Sequence, residues 1–453
     1  MAEREPNHLL AALLAETDWT AGELARAVNA LGAAQGMRLR YDRTAVAHWL
    51  SGSHPRGAVP SLIAAALTER LARPVTPGDA GLSQPPAAPP ARSGRAGGTA
   101  EADGVHGLFD LVRADTDPSR HAYVAATAYT VSTLALPAVA ARPLAPVPLL
   151  LLDGLPTDQH LESMRDMIRI FPGLYLRHGG AHARTALASY LAHDTARIIG
   201  LGQPERLRGD VLTAAAQLLH QLGEMTADSG HEGLAQQYLL RTLRLAAHAG
   251  DRDLYVITLR TLSSQALRLG NRRYAHHLVR AALHRTTTGT SPAIRSFLHA
   301  HQAVALALLG RRQESRSHLH AAERHHARAS SPAGPFTDYP QAALDYQRAQ
   351  TLHALGEPGE ARTAYLSAIH HRPDGHHRPA ALTRAKFAQQ LLAAGELEAS
   401  CGQWHAFLGH YAHLHSSSAD HAFGLLRRQL RPHHQHPRAR SLLERAHAMR
   451  PAT

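Results

Sequence analysis

Apolar residues recur with helical spacing along most of this chain. In the first part of the sequence this spacing predicts short helices over Leu9–Ala15, Glu23–Ala30, Arg43–Leu50 and Pro60–Leu71. Thr20 and Glu23 form a capping box before the second of them, because each side chain can bond a free backbone N–H of the other. Further on, the periodic segments are rich in Ala and Leu, which favour helix over strand. The pattern therefore predicts an all-α fold.

A repeat in the C-terminal half is visible as a spacing rather than as sequence identity. Five glycines are separated by 40, 40, 46 and 39 residues: Gly230, Gly270, Gly310, Gly356 and Gly395. Small residues recur seven positions before each glycine and five after it, and in four of the five units also twelve after it, where Phe407 is the exception. Two antiparallel helices can approach closely only where side chains are short, and glycine suits the turn between them. We therefore predict five stacked helical hairpins.

Composition shifts divide the chain into regions. We predict a small helical domain over residues 1–82, a Pro-, Ala- and Gly-rich linker over 83–104, a helical connecting or capping region over 105–201, and the repeats over 202–453. In the connecting region we expect helices over Ser119–Leu136, Asp158–Phe171 and Ala181–Ile199.

Net charge and cysteine content say little about the function of the protein. The net charge is +12, but almost all basic residues are arginine, and this skew resembles a coding bias more than a functional signal. The single cysteine, Cys401, excludes an intrachain disulfide and fits a reducing compartment. The uncharged run Ala122–Ala141 is rich in Ala and Thr, so we interpret it as a buried helix and not as a membrane span. We expect no secretory signal and a cytoplasmic protein that does not engage a membrane.

The sequence offers few candidates for catalytic or metal-binding residues. The 35 histidines occur mostly singly or as adjacent pairs, and neighbouring residues on a helix do not share a face, so the pairs are poor metal chelates. No nucleophile elbow, paired CxxC, phosphate-binding loop or dinucleotide-binding motif is present in the sequence. We predict no enzyme activity, no catalytic residue, no cofactor and no metal site.

Residues 7–82 resemble helix-turn-helix domains of the XRE/Cro type. The resemblance rests on Leu24-Ala25 and on the segment from Thr44 to Gly52, in which Val46 and Trp49 would anchor the third helix. A loop replaces the usual tight turn, because Ala25 and Val46 are 21 residues apart. The resemblance implies DNA binding, and residues 26–56 hold five arginines against one acid. The candidate DNA-binding residues are Arg38, Arg40, Arg43, Thr44, Ala47, His48 and Arg56.

The repeat spacing resembles the tetratricopeptide (TPR) repeat, most clearly from Leu344 to Pro373. That resemblance implies a concave groove, lined by the first helix of each unit, that takes a peptide or a partner helix. By unit position the candidate groove residues are Gln265, Arg268, His301, Gln302, Gln347, Gln350 and Gln389.

The combination of these two parts resembles a family of actinobacterial regulators. Within the chain the segments 179–184 (GGAHAR), 227–230 (ADSG) and 233–238 (GLAQQY) are typical of that family. The resemblance implies a transcriptional regulator, in development or secondary metabolism. We further expect DNA binding as a homodimer, because helix-turn-helix domains usually match paired half-sites. The array is expected to sense a peptide or protein partner through its groove. The alternative is a TPR scaffold protein whose helix-turn-helix no longer binds DNA.

Overall fold

A computed structural model describes residues 6–17, 19–34, 39–53, 55, 59–71, 75, 79–82, 102–131, 158–200, 205–329 and 339–449. The described regular structure is helical, and no strand occurs within these ranges. The predicted all-α fold is thus confirmed. The chain divides into two compact units, Met1–Gly97 and Gly98–Thr453. Most of the predicted linker 83–104 lies outside the described residues.

The part of the smaller unit that the structure describes holds four helices: α1 His8–Thr17, α2 Ala21–Ala34, α3 Arg43–Leu50 and α4 Val59–Leu71. They surround one core whose innermost side chains, including Leu24, Val46 and Ile63, are fully buried. The predicted capping box is confirmed, since the Thr20 N–H donates to the Glu23 carboxylate at 2.7 Å and the Glu23 N–H donates to the Thr20 hydroxyl at 3.3 Å.

Among its described residues, the larger unit begins with five helices: α5 Ala102–Thr116, α6 Pro118–Ala125, α7 Asp158–His178, α8 Gly180–Tyr190 and α9 Ala196–Gly200, with a π-helical turn at Leu191–Thr195. The predicted helix Ser119–Leu136 was too long. Helix α6 ends at Ala125, and residues 127–131 are not helical, while 132–136 lie outside the described residues. Within the described residues no helix combines the length and the apolar character needed to cross a bilayer.

Five helical hairpins follow, one for each of the five marker glycines. They are α10 Glu205–Asp228 with α11 Glu232–Ala249, α12 Arg252–Arg268 with α13 Arg272–His284, α14 Pro292–Leu308 with α15 Arg312–His326, α16 Gln341–Ala354 with α17 Pro358–His370, and α18 His377–Ala393 with α19 Leu397–Tyr411. Helices α20 Ser417–Leu430 and α21 Pro437–Ala448 close the described chain, with a short 3-10 turn at Arg431–His433 between them. Successive helices pack pairwise, which gives a solenoid-like array.

The turn glycines and the small residues take the roles that their spacing predicted. All five glycines have a positive φ, between 76° and 90°. The small positions before and after each turn are buried between the two helices of the hairpin. In three hairpins a serine at one small position donates to the backbone carbonyl at the other: Ser263 to Ala275 (2.7 Å), Ser315 to Ala303 (2.8 Å) and Ser400 to Ala388 (2.8 Å).

One continuous core joins the start of the larger unit to the first hairpins. It runs from Phe109 in α5 through Met164 in α7 and Leu187 in α8 to Leu218 in α10 and Leu298 in α14. Residues of the predicted connecting region, 105–201, therefore pack directly against the repeats. Cys401 is buried in α19, within a separate core formed by the last helices.

Candidate functional site

Helix α3 exposes one face and buries the other. The predicted DNA-contacting residues Arg43, Thr44, Ala47 and His48 are all exposed. The opposite side of the same helix is anchored by Val46, which is fully buried, and by Trp49. The pattern of exposure follows from helical geometry, because residues 43, 44, 47 and 48 lie on one stripe.

The start of α3 is held by a carboxylate. Asp42 adopts an extended conformation, and its side chain accepts a hydrogen bond from the Ala45 N–H at 3.0 Å. That bond lowers the pKa of Asp42, because it favours the ionised carboxylate. The cap fixes the first turn of the helix, where Arg43 and Thr44 lie.

The loop between α2 and α3 is clamped by Asn29, a residue that the sequence analysis did not single out. Its side-chain amide donates to the Tyr41 carbonyl at 2.8 Å and accepts from the Tyr41 N–H at 2.9 Å. The Tyr41 ring then packs edge-on against Trp49, with the centroids 5.2 Å apart. The signal available in the sequence was a lone amide in the apolar second half of α2. Arg40, just before this anchor, is exposed, while Arg38 and Arg56 lie outside the described residues.

The seven candidate groove residues fall into different environments. Gln265 and Arg268 both bind Glu232 at the start of α11, with contacts of 2.7 and 3.2 Å to its carboxylate. Gln302 lies 3.0 Å from the His276 ring nitrogen. The remaining four lie on α14, α16 and α18, where His301 and Gln347 are buried and Gln350 and Gln389 are half-buried.

Helix α7 lies against α10 and α18, the first helices of the first and last hairpins. Pro172 within α7 has no N–H, so the carbonyl of Ile168, four residues earlier, lacks its helical donor. The side-chain amide of Gln221 in α10 donates to this carbonyl at 3.0 Å. Beside this contact is a cavity of about 130 Å³, whose lining includes Tyr175 of α7 and Phe297 of α14.

A buried polar network joins α5, α8 and α11. Arg184 Nη2 donates to both carboxylate oxygens of Asp115, at 2.6 and 2.5 Å, and the Tyr238 hydroxyl donates to the same carboxylate at 2.6 Å. Arg184 also donates to the Thr226 hydroxyl at 3.0 Å. Burial opposes ionisation of Asp115, but Arg184 and the hydrogen bonds keep its pKa below the ordinary value.

A second buried carboxylate joins the first hairpin to the last helices. Asp228, at the end of α10, accepts from Arg378 of α18 at 2.8 Å and from the Ser416 hydroxyl at 2.9 Å. Its other oxygen accepts from the Gly180 N–H at 2.8 Å. We call Asp228, Gly180, Arg378 and Ser416 the closing cluster, because the cluster connects residues 150 and 188 positions apart along the chain.

Residues 127–131 pass over the start of α11. Gln236 accepts from the Thr130 N–H at 2.9 Å and donates to the Thr130 carbonyl at 2.7 Å. Gly233 has no side chain there, and a Cβ at that position would lie 1.8 Å from the Thr127 carbonyl oxygen. These contacts, together with those of Asp115 and Asp228, give a structural role to residues of the segments 179–184, 227–230 and 233–238.

Over the described residues, these features define an all-helical protein with four helices in the smaller unit and a solenoid-like larger unit. A protein-family model described as the SP15 N-terminal domain matches residues 10–83. The match falls on the smaller unit and extends from α1 to just beyond its last described residues. No curated protein matches the chain.

Proposed function

We propose that the chain is a DNA-binding transcriptional regulator whose repeat array senses a peptide or protein partner. The observation that carries this proposal is the exposed stripe of α3: Arg43, Thr44, Ala47 and His48 point away from the core on a helix that is capped and anchored from behind. Such a helix fits the major groove, where arginine and other polar side chains contact base edges.

The local charge supports the same proposal. Residues 26–56 carry a net charge of +4, whereas residues 1–82 as a whole are neutral. Cations near a contacting helix attract the phosphate backbone. The clamp at Asn29 holds Tyr41, the residue that follows the exposed Arg40. We also propose that the chain acts as a homodimer in the cytoplasm, since such helices usually recognise paired half-sites, and that it regulates development or secondary metabolism.

The test is selection of genomic DNA fragments by the full chain at two salt concentrations. We expect a few fragments to be enriched and to stay bound at the higher salt, because base contacts depend less on salt than phosphate contacts do. Arg43→Ala and His48→Ala should each weaken binding to those fragments by about 1–3 kcal/mol.

The matched control is Arg324→Ala, which removes the same charge from an exposed position on α15. It should leave binding unchanged. Equal, salt-sensitive retention of all fragments, with no effect of the α3 substitutions, would instead favour the scaffold interpretation.

A further inference from the structure

A cavity of about 90 Å³ lies where the connection between α17 and α18 meets the end of α19. Four basic side chains line it: Arg372 and His376 from the connection, Arg384 from α18, and His410 from α19. One water molecule needs only about 10–15 Å³, so the cavity has room for a group of several heavy atoms. Two guanidinium groups and two imidazoles around one cavity indicate a site for an anion.

Neither guanidinium group of this cavity forms an ion pair within the described part of the chain. Arg384 donates to the side-chain oxygen of Gln403 at 3.0 Å, and Arg372 donates to the carbonyl of Ala342 at 3.3 Å. Both acceptors are uncharged. The arginine of the closing cluster, by contrast, lies 2.8 Å from an aspartate oxygen. The charges of Arg372 and Arg384 therefore remain available to a ligand.

Two carboxylates lie close to the cavity, and neither pairs with its arginines. Asp345 lies 2.9 Å from the His371 ring nitrogen and accepts from the Ser367 hydroxyl at 2.7 Å. Its charge raises the pKa of Arg372, but burial outweighs that effect and the pKa is lowered. Asp374 belongs to the cavity wall and is exposed. With neutral histidines, the wall thus carries two positive charges against one negative charge.

The basic side chains of the cavity repel one another. Burial and nearby positive charge, chiefly that of Arg384, lower the pKa of His410 to about 4. Burial and the charge of Arg372 likewise lower the pKa of His376. Both imidazoles are therefore neutral at neutral pH, because a further positive charge is unfavourable there. An anion in the cavity would offset this repulsion.

The number and kind of charges favour a phosphate monoester among anions. Guanidinium groups donate paired N–H bonds to carboxylate and phosphate oxygens, and two of them match the three free oxygens of a phosphate better than the two of a carboxylate. A monoester is close to doubly charged at neutral pH, whereas a diester such as the DNA backbone carries one charge. His376, the N-cap of α18, also brings the positive end of that helix to the cavity wall.

We propose that this cavity binds the phosphate group of a small phosphorylated molecule, with the phosphate oxygens on Arg372 and Arg384 and with His376 and His410 beside them. The fourth and fifth hairpins supply the whole site. The site adds a small-molecule ligand to the proposed function and does not depend on it.

The experiment is isothermal titration calorimetry of the full chain at constant ionic strength. The probes are methyl phosphate and phenyl phosphate as monoesters, dimethyl phosphate as the diester, inorganic phosphate, and acetate. We expect both monoesters to bind, and dimethyl phosphate and acetate to bind at least about tenfold more weakly, because each carries a single charge.

Two results would overturn the proposal. Tighter binding of inorganic phosphate than of either monoester would exclude a phosphorylated molecule as the ligand. Equal, weak heats from all five anions would exclude the site itself.

Two variants locate the binding. Arg372→Gln and Arg384→Gln keep a polar side chain but remove the charge, so each should weaken methyl phosphate binding by about 10- to 100-fold. The Tm of each free variant should be unchanged or higher, because an unpaired charge is lost from a partly buried position. Arg324→Gln, exposed on α15, is the matched control and should bind normally.

Full methyl phosphate affinity in both folded variants would contradict the assignment of the site. Selection of DNA fragments is measured on the same preparations. Loss of phosphate binding with intact DNA selection leaves the proposed regulator in place, and phosphate binding without DNA selection leaves this site in place, so the two proposals fail separately.

Discussion

Asn29 and Gly233 show how single side chains set the course of neighbouring backbone. Asn29 uses both ends of its amide to hold Tyr41. Gly233 has a different effect, since the absence of a Cβ lets the Thr127 carbonyl lie against α11. In both cases the residue type follows from what the backbone beside it needs, and neither is evident from helical periodicity.

Asn29→Ala should weaken DNA binding although it removes no group from the exposed face of α3. The substitution deletes two hydrogen bonds, each worth about 0.5–1.5 kcal/mol, and releases the loop that precedes Asp42. The measurement is affinity for the selected fragments together with circular dichroism of the variant. Unchanged affinity in a folded variant would mean that the loop does not position the helix.

Gly233→Ala should lower the free energy of unfolding by about 1–3 kcal/mol, because the new methyl group overlaps the Thr127 carbonyl. Chemical denaturation measures the change. The control is Gly209→Ala in α10, where a Cβ meets no atom within 4 Å. There alanine should be neutral or stabilising by up to about 1 kcal/mol, because it is the better helix former. Equal effects at both sites would contradict the proposed overlap.

At the scale of elements, the helical hairpin is the unit that the sequence encodes most directly. Its determinants lie within about twenty residues of each turn: a glycine with positive φ and small residues where the helices touch. The recurring serine bonds add a polar contact between helices that otherwise meet through methyl groups. The predicted spacing therefore identified five hairpins even where their sequences differ.

Ser315 tests this arrangement. Ser315→Ala keeps the close approach of α14 and α15 but removes the hydrogen bond to Ala303, and should cost about 1 kcal/mol of stability. Ser315→Leu should cost more, since the helices would have to separate. Ser317→Ala, exposed on the same helix, should change stability by less than about 0.5 kcal/mol. If Ser315→Leu were tolerated like Ser315→Ala, close packing would not be the reason for small residues here.

At the scale of the larger unit, the closing cluster connects its beginning to its end. Asp228 has a side chain that is 1% exposed and pairs with Arg378, which is 17% exposed. Burial opposes ionisation of Asp228, yet the charge and hydrogen bonds of Arg378 and the Gly180 N–H keep its pKa below the ordinary value. The ionised carboxylate thus stabilises the fold.

Asp228→Asn should lower stability by about 3–5 kcal/mol at neutral pH, because it leaves Arg378 buried without its counter-ion. Since the folded-state pKa is depressed, the stabilisation is complete above the ordinary aspartate pKa of 3.8 and is lost as the pH falls through the folded value. Chemical denaturation at a series of pH values from neutral to acidic should show that the free energy of unfolding falls more steeply with pH for the native chain than for the variant. Asp210→Asn, exposed on the same helix, serves as the control. Parallel pH profiles for all three chains would contradict this role of Asp228.

The sequence by itself determined the helical class, the five hairpins and the exposed stripe of α3, because each depends on residues close together in the chain. Periodicity, turn glycines and capping residues act locally, so their spacing is readable without coordinates. It overestimated the helix after Ser119: α6 ends at Ala125, and the segment that follows is held at Thr130 by Gln236, 106 residues away in the chain.

Only the tertiary structure decided how the hairpins associate and which buried polar groups pair with each other. Asp115 finds Arg184 across 69 residues and Asp228 finds Ser416 across 188, distances over which no local pattern specifies a partner. The same applies to Arg260 on α12, whose guanidinium carbon lies 3.8 Å from the centre of the Phe297 ring on α14. Helical spacing specifies which face of a helix is buried, while the partners on that face are set by the packing of the whole chain.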